Sequence, residues 1–236
     1  MPTPLSIIMR KKKIDVKKYA EAKRYWNNVV AAEVIYEPKA ATGIKEIDES
    51  IAWLAQSKGP ILDFGCGNGR LLFASLLSGA SSITGIDIAS RAVNIADAVA
   101  VTHHLEDKSR FITGGIDELG SLTPHSFDGA ILSNIIDNLY PEDAAALVRY
   151  MNNLLTPGAR LLVKLNPFLE KTHIDNHPEY RLMSENFYKE SSGLFLYNIS
   201  DALLVSMLKT FTLEAQRLVH FTQYNVSNRL FHFTKD

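Results

Sequence analysis

The spacing of hydrophobic positions changes period several times along this chain. From residue 16 to about 34, Tyr19, Ala22, Tyr25, Trp26, Val29 and Val30 recur at three- and four-residue steps, which predicts a helix. Pro38 breaks the pattern. A second helical pattern covers 45–56, with Ile47, Ile51, Trp53 and Leu54 apolar, and Gly59 and Pro60 end it. From residue 61 onward, short apolar runs alternate with amphipathic stretches. Strands are predicted at 61–64, 82–88, 110–113, 127–132 and 160–165. Helices are predicted at 68–77, 90–101 (Ser90 as N-cap) and 141–155 (Pro141 in the first turn). Thr156, Pro157 and Gly158 read as a turn.

Strands that are apolar on both faces, alternating with helices, indicate a parallel sheet covered on both sides. The rhythm breaks over about 166–199, which contains Pro167, Pro178, Tyr180, Phe187, Tyr188 and Tyr197. This stretch is expected to be an insertion with little regular structure, or a short hairpin. A helix over 200–209 and two strands, 211–219 and 227–234, then follow, and the two strands can pair antiparallel. The expected fold is α/β: a doubly wound, Rossmann-like, mostly parallel seven-stranded sheet. It has an antiparallel strand near the C-terminus and a helical N-terminal cap. Residues 1–59 are read as tail and capping helices, and 60–236 as the main domain, with the insertion on its ligand side.

Composition narrows the function without choosing it. The chain has 236 residues, 46% hydrophobic and 22% charged, enough for a sizeable core. Lysine plus arginine number 25 against 26 acidic residues, a net charge of −1, which argues against electrostatic coating of nucleic acid. A single cysteine excludes an internal disulfide framework and a cysteine-rich zinc site. No apolar run is long enough to span a membrane. Arg10, Lys11, Lys12 and Lys13 are followed by charged residues, unlike a secretory signal, so a cytoplasmic location is expected. Residues 1–13 read as a loose basic arm.

The chemistry concentrates in Ile61, Leu62, Asp63, Phe64, Gly65, Cys66, Gly67, Asn68, Gly69 and Arg70. A strand runs into three alternate glycines and then a helix. Glycines there allow a sharp turn and close approach of a ligand to the backbone, and the free amides at the helix start favour polar groups. The second strand ends at Asp87, beside that loop, where a carboxylate can accept from both hydroxyls of a ribose. A nucleoside-containing ligand is therefore expected. The dinucleotide fingerprint would require a third glycine where Arg70 stands, which disfavours a nicotinamide-dependent oxidoreductase.

The acidic prefix, the G-x-G-x-G spacing and Asp87 together resemble the class I S-adenosylmethionine-dependent methyltransferases. The likeness covers roughly 60–165 well and the last two strands more loosely. It implies S-adenosyl-L-methionine as cofactor. By position, Asp63 would orient the methionine moiety, and Gly65, Cys66 and Gly67 would form the loop beneath the ligand. Gly69 would allow close helix packing, and Asp87 would bind the ribose. Ile88 and Ile116 would flank the adenine. Gly115 stands where the family often carries an acid for the adenine amino group, with Asp117 nearby as a substitute. Ser133 would face the methionine chain and the acceptor.

Methyl transfer from a sulfonium is an in-line displacement, so placement of the reactants matters more than any obligatory side chain. Asn134, Asp137 and Asn138 at the fourth strand's end, with His173 and His177 of the insertion, are the candidate catalytic groups. No metal is expected. Ser133, Asn134, Ile135, Ile136, Asp137, Asn138, Leu139 and Tyr140 occupy the place of the Asn/Asp-Pro-Pro-aromatic motif found in many base-modifying relatives. A small-molecule acceptor, with an oxygen or nitrogen nucleophile, is therefore the leading expectation, in a pocket walled by Tyr19, Tyr25, Trp26 and the insertion. The alternatives are an RNA methyltransferase gripping phosphate with the basic residues of 10–18, and a non-catalytic S-adenosylmethionine-binding protein. A monomer or homodimer is expected.

Overall fold

A computed structural model describes residues 16–236 of the protein. The basic arm expected over 1–13 lies outside the described residues.

Seven strands form one sheet: β1 (Ile61–Phe64), β2 (Ile83–Asp87), β3 (Ser109–Thr113), β4 (Phe127–Ser133), β5 (Leu155–Leu165), β9 (Phe211–Phe221) and β10 (Val226–Lys235). Their order is β3-β2-β1-β4-β5-β10-β9. The first five run parallel, while β10 is antiparallel to both β5 and β9. The expected doubly wound sheet is present. β1 lies between β2 and β4, so the strand order reverses there and opens a crevice at the strands' carboxyl ends.

Alternate residues of each strand feed two cores. Leu62, Phe64, Ala130, Leu132, Leu161 and Val163 pack toward α5 (Pro141–Leu154) and α7 (Asp201–Met207), meeting Leu147, Met151 and Leu204. Ile61, Ile83, Ile131 and Leu162 face the other way. They meet Ile51 and Leu54 of α2 (Lys45–Ala55), Leu72 and Phe73 of α3 (Arg70–Leu77), and Ala96 and Val99 of α4 (Ser90–Thr102). Each such side chain removed from water contributes roughly 1.5–3 kcal/mol before entropy is counted.

The N-terminal cap is α1 (Ala20–Val29), entered through one 3₁₀ turn (Val16–Tyr19) and left through another (Val30–Ala32). It bears on α4, where Val30 packs with Ala89 and Ala92.

Two expectations need correction. The turn at Thr156, Pro157 and Gly158 lies inside β5. Phe127 pairs with Leu155 and Gly129 with Arg160, so residues 156–159 bulge from a strand that continues. Gly158 takes the positive φ of 76° that the bulge requires. The insertion is also more regular than a loose stretch or one hairpin. It contains a short helix, α6 (Lys171–Asp175), and a three-stranded antiparallel sheet of β6 (Tyr180–Ser184), β7 (Phe187–Glu190) and β8 (Phe195–Tyr197). Asn198 ties its base, accepting from the Leu169 N–H at 3.0 Å and donating to the Leu169 carbonyl at 2.7 Å. Phe187 and Phe195 pack against Tyr140 with tilted rings at 4.8 and 4.7 Å, and Tyr19 meets Phe195 edge-on at 6.0 Å. This aromatic cluster fastens the insertion over the start of α5 and beside α1.

Candidate active site

The backbone leaving β1 turns in the left-handed region at Gly65, Gly67 and Gly69, with φ of 85°, 54° and 84°. At Gly67 an added Cβ would meet nothing within 4 Å, so the backbone there borders open space. At Gly65 it would crowd Ile135, the nearest atom at 3.1 Å. The Gly69 N–H closes the turn onto the Cys66 carbonyl at 3.0 Å, and α3 begins at the next residue.

Asp87 holds this loop from the neighbouring strand. Its Oδ2 accepts from the Gly67 N–H at 2.8 Å and its Oδ1 from the Ala89 N–H at 2.7 Å. Burial raises its pKa, opposed by those two bonds. Asp63 lies beneath the loop, 2% exposed, and its Oδ1 has no hydrogen-bond partner. Burial, and then the charge of Asp87, push the Asp63 carboxyl well above its usual range, with Lys164 pulling the other way. A buried carboxyl with an unused oxygen calls for a donor or a cation. The Cys66 thiol is buried and its pKa is raised, first by burial and then by Asp63 and Asp87. That is the opposite of an activated nucleophile.

A cavity of about 430 Å³ opens at the carboxyl ends of β1, β2 and β4, within the range of small-molecule sites. Of the residues singled out in the sequence, Gly65, Gly67, Asp87, Ile88, Gly115, Ile116, Ser133 and Asn134 line it. Asp117 and Asn138 do so as well. Asp63, Cys66 and Gly69 are not on its wall. They lie in or under the loop that forms its floor.

Three of the five candidate catalytic groups, Asp137, His173 and His177, are also off the wall. Asp137 is buried, accepts from the Asn166 N–H at 2.7 Å, and has its pKa pushed up to about 6, chiefly by burial. It braces the turn after β4 from behind. His173 is exposed on α6, stacked on His177 at 4.2 Å and outside the cavity. Among the described residues, no group of three or more His, Cys, Asp or Glu side chains is placed to hold a metal ion. Asn134 is on the wall in a left-handed conformation, φ 53°. It is fixed by the Lys164 carbonyl at 2.7 Å and by the Asn166 and Asn228 side chains.

The outer wall comes from distant segments. Tyr19 and Trp26 line it, whereas Tyr25 packs edge-on against Trp26 at 5.2 Å and does not. Lys23, Val30, Leu139, Asp143 and Leu194 also line it, none of them expected as a site residue. Asp143 Oδ2 accepts from the Tyr19 hydroxyl at 2.6 Å and from Lys18 Nζ at 2.9 Å, and Lys18 also reaches Glu142 at 2.7 Å. Burial works to lower the Lys18 pKa, but the two carboxylates outweigh it and the net shift is upward. The Tyr19 phenol is raised, first by burial and then by its bond to Asp143.

The open backbone at Gly67 and the Asp87 carboxylate fit a ligand with a nucleoside at one end, while the unsatisfied Asp63 oxygen lies under the loop, off the cavity wall. Comparison with known proteins agrees. Residues 61–158 match the family described as methyltransferase domain. A ubiquinone biosynthesis O-methyltransferase from Neisseria meningitidis serogroup C (strain 053442) is 31% identical over 97 residues, 41% of this chain and 40% of that protein. A ribosomal protein L11 methyltransferase from Shewanella denitrificans (strain OS217 / ATCC BAA-1090 / DSM 15013) is 34% identical over 84 residues, 33% of this chain and 29% of that one. The matched segment thus spans less than half the length of these curated relatives. Among solved structures, the 1,6-didemethyltoxoflavin-N1-methyltransferase of Burkholderia thailandensis, with bound 1,6-didemethyltoxoflavin and S-adenosylhomocysteine, superposes with a TM-score of 0.64. Its identity is 18%, covering 82% of this chain and 80% of that one. The magnesium protoporphyrin IX methyltransferase of Synechocystis PCC 6803 with bound SAM gives 0.64 at 17% identity, covering 94% and 99%. At such identities the likeness is one of fold.

Proposed function

We propose that this chain is a class I S-adenosylmethionine-dependent methyltransferase and transfers the cofactor's methyl group to an oxygen or nitrogen of a small-molecule acceptor. The observation that carries this reading is the single cavity wall that joins the nucleoside-type floor (Gly67, Asp87, Ile88) to an enclosed aromatic end (Tyr19, Trp26). The relatives' names include small-molecule O- and N-methyltransferases.

S-Adenosylmethionine would supply an electrophilic methyl group: the carbon–sulfur bonding pair stays on sulfur as the acceptor's lone pair bonds to carbon, and the proton of the acceptor's O–H or N–H is released to solvent. The chain's own residues do the rest. Asp87 would take the ribose hydroxyls, and Ile88 and Ile116 the faces of the adenine. The Gly65–Gly67 backbone would support the methionine chain, with Asp63 below it. Asn134, locked by its neighbours, presents a fixed polar edge at the carboxyl end of β4. The cap helix and the insertion exclude water and hold the acceptor near attack distance, which can supply several kcal/mol of the barrier. No side chain on the wall is compelled to act as a base.

The test is to incubate the protein with methyl-labelled S-adenosylmethionine and, separately, with small-molecule, RNA and protein fractions of a cell extract. Label entering the small-molecule fraction supports the reading. Label confined to the RNA or protein fraction overturns the acceptor class, and no label in any fraction counts against transferase activity.

A further inference from the structure

Asp143 lines the cavity wall beside Tyr19, and nothing in the glycine motif accounts for it. Its side chain is 7% exposed. Oδ2 is fully engaged, by the Tyr19 hydroxyl and by Lys18. Among the described residues, Oδ1 takes no hydrogen bond, although Asp143 lines the cavity. The same wall carries the apolar and aromatic Tyr19, Trp26, Leu139 and Leu194, with Lys23 and Asn138 as its polar members there.

An acid in the first turn of α5 is ordinarily placed to meet the helix's free amides. That role does not describe Asp143, whose bonds all go outward to the cap. The Tyr19 hydroxyl in turn accepts from the Tyr140 N–H at 3.1 Å, which fixes its direction and leaves its proton for Oδ2. The carboxylate is thus oriented by two groups, Tyr19 and Lys18, the first itself fixed by the Tyr140 N–H, and one oxygen is left over. That oxygen is free to accept from a donor on a ligand in the cavity.

We infer that Asp143 is the acceptor anchor: its free Oδ1 accepts a hydrogen bond from an N–H or O–H group of a planar, largely apolar methyl acceptor, with Tyr19 and Lys18 as its positioning residues. This rests on the reading of the cavity as a methyltransferase site and adds to it a chemical requirement on the acceptor. The requirement concerns recognition and does not decide which atom is methylated.

The experiment uses matched probes that differ only in the donor: 2-naphthol against 2-methoxynaphthalene, and indole against 1-methylindole. Each is titrated into the full chain with and without S-adenosylhomocysteine. Wild type is expected to favour the donor-bearing member of each pair about tenfold, the scale of one hydrogen bond to a charged group. In Asp143→Asn, Tyr19 and Lys18 both require an oxygen, so the amide nitrogen turns to the cavity and the preference is lost. Asp143→Leu loses it as well. In both variants S-adenosylhomocysteine affinity stays within about twofold of wild type. Since Asp143→Leu removes a buried partner of Lys18, its folding is checked by thermal melting, and Asp143→Asn serves alone if it is unfolded. Equal binding of the two members by wild type, binding of neither, or an unchanged preference in Asp143→Asn overturns the inference. Failure of wild type to bind S-adenosylhomocysteine counts against the methyltransferase reading instead, because the probe preference is also read without it.

Discussion

The Asp87 carboxylate accepts the Gly67 N–H at 2.8 Å, so the end of β2 sets the position of the loop that leaves β1. With its other oxygen on the Ala89 N–H, the same side chain braces two backbone segments on one rim of the cavity. Each oxygen keeps a further lone pair for a ligand hydroxyl.

Asp87→Ala removes the loop brace and the ribose contact together. S-Adenosylhomocysteine affinity should fall by roughly 1–3 kcal/mol, about five- to 150-fold, with the protein still folded. Asp87→Asn keeps one acceptor oxygen and should lose less. Calorimetric titration of both variants checks this, and full affinity in folded Asp87→Ala would refute the placement of the ribose.

Gly67 and Gly85 should respond differently to a side chain. A Cβ at Gly67 enters open cavity from a left-handed backbone. Gly67→Val should therefore cost about 1–2 kcal/mol of stability or more, and abolish cofactor binding. A Cβ at Gly85 would lie 2.7 Å from Cys66 Sγ and 2.8 Å from the Phe111 ring. Gly85→Ala should cost about 1–3 kcal/mol by overpacking the core behind the loop. Denaturant unfolding, run beside ligand titration, separates the two effects.

Asp137 predicts a pH dependence. Its folded pKa of about 6 lies above the ordinary value of 3.8, chiefly through burial. Below pH 4 both states hold the proton and the contribution is complete. As pH rises through about 6 the folded protein must charge a buried group, and on the order of 2–3 kcal/mol is lost. Asp137→Asn keeps an oxygen for the Asn166 N–H and has no proton to lose. Relative to wild type it should therefore be more stable at pH 7 than at pH 4. A stability difference that is flat across that window would contradict the assignment.

Tyr19→Phe deletes a hydroxyl that both accepts from Tyr140 and donates to Asp143. Stability should fall by about 1–3 kcal/mol, since the Tyr140 N–H is left unmet and Asp143 keeps only Lys18. Chemical denaturation of the variant measures it.

The central sheet was legible because its strands are buried on both faces and bounded by turn residues, as Ile61–Phe64 shows. β6 was not legible. Tyr180–Ser184 is largely exposed along its length, so it carries no alternation of buried and open positions to read. The bulge at 156–159 was taken for a turn because Pro157 and Gly158 mark both equally well, and only pairing on each side distinguishes them. The glycine floor was legible from spacing, since a strand, a loop and an acid on the next strand are neighbours by topology. Asp143 and Leu194 were not, because each meets the cavity only once α1 and the insertion have docked. Asp143 in particular looks like any acid in a helix's first turn. His173 drew attention as a titratable group in an irregular segment, but α6 presents it to solvent.

Calorimetric titration of the purified protein with S-adenosylhomocysteine and, separately, with NAD decides the identity of the cofactor. Micromolar binding of the first and none of the second is expected. Binding of NAD alone, or of neither, would contradict the methyltransferase reading.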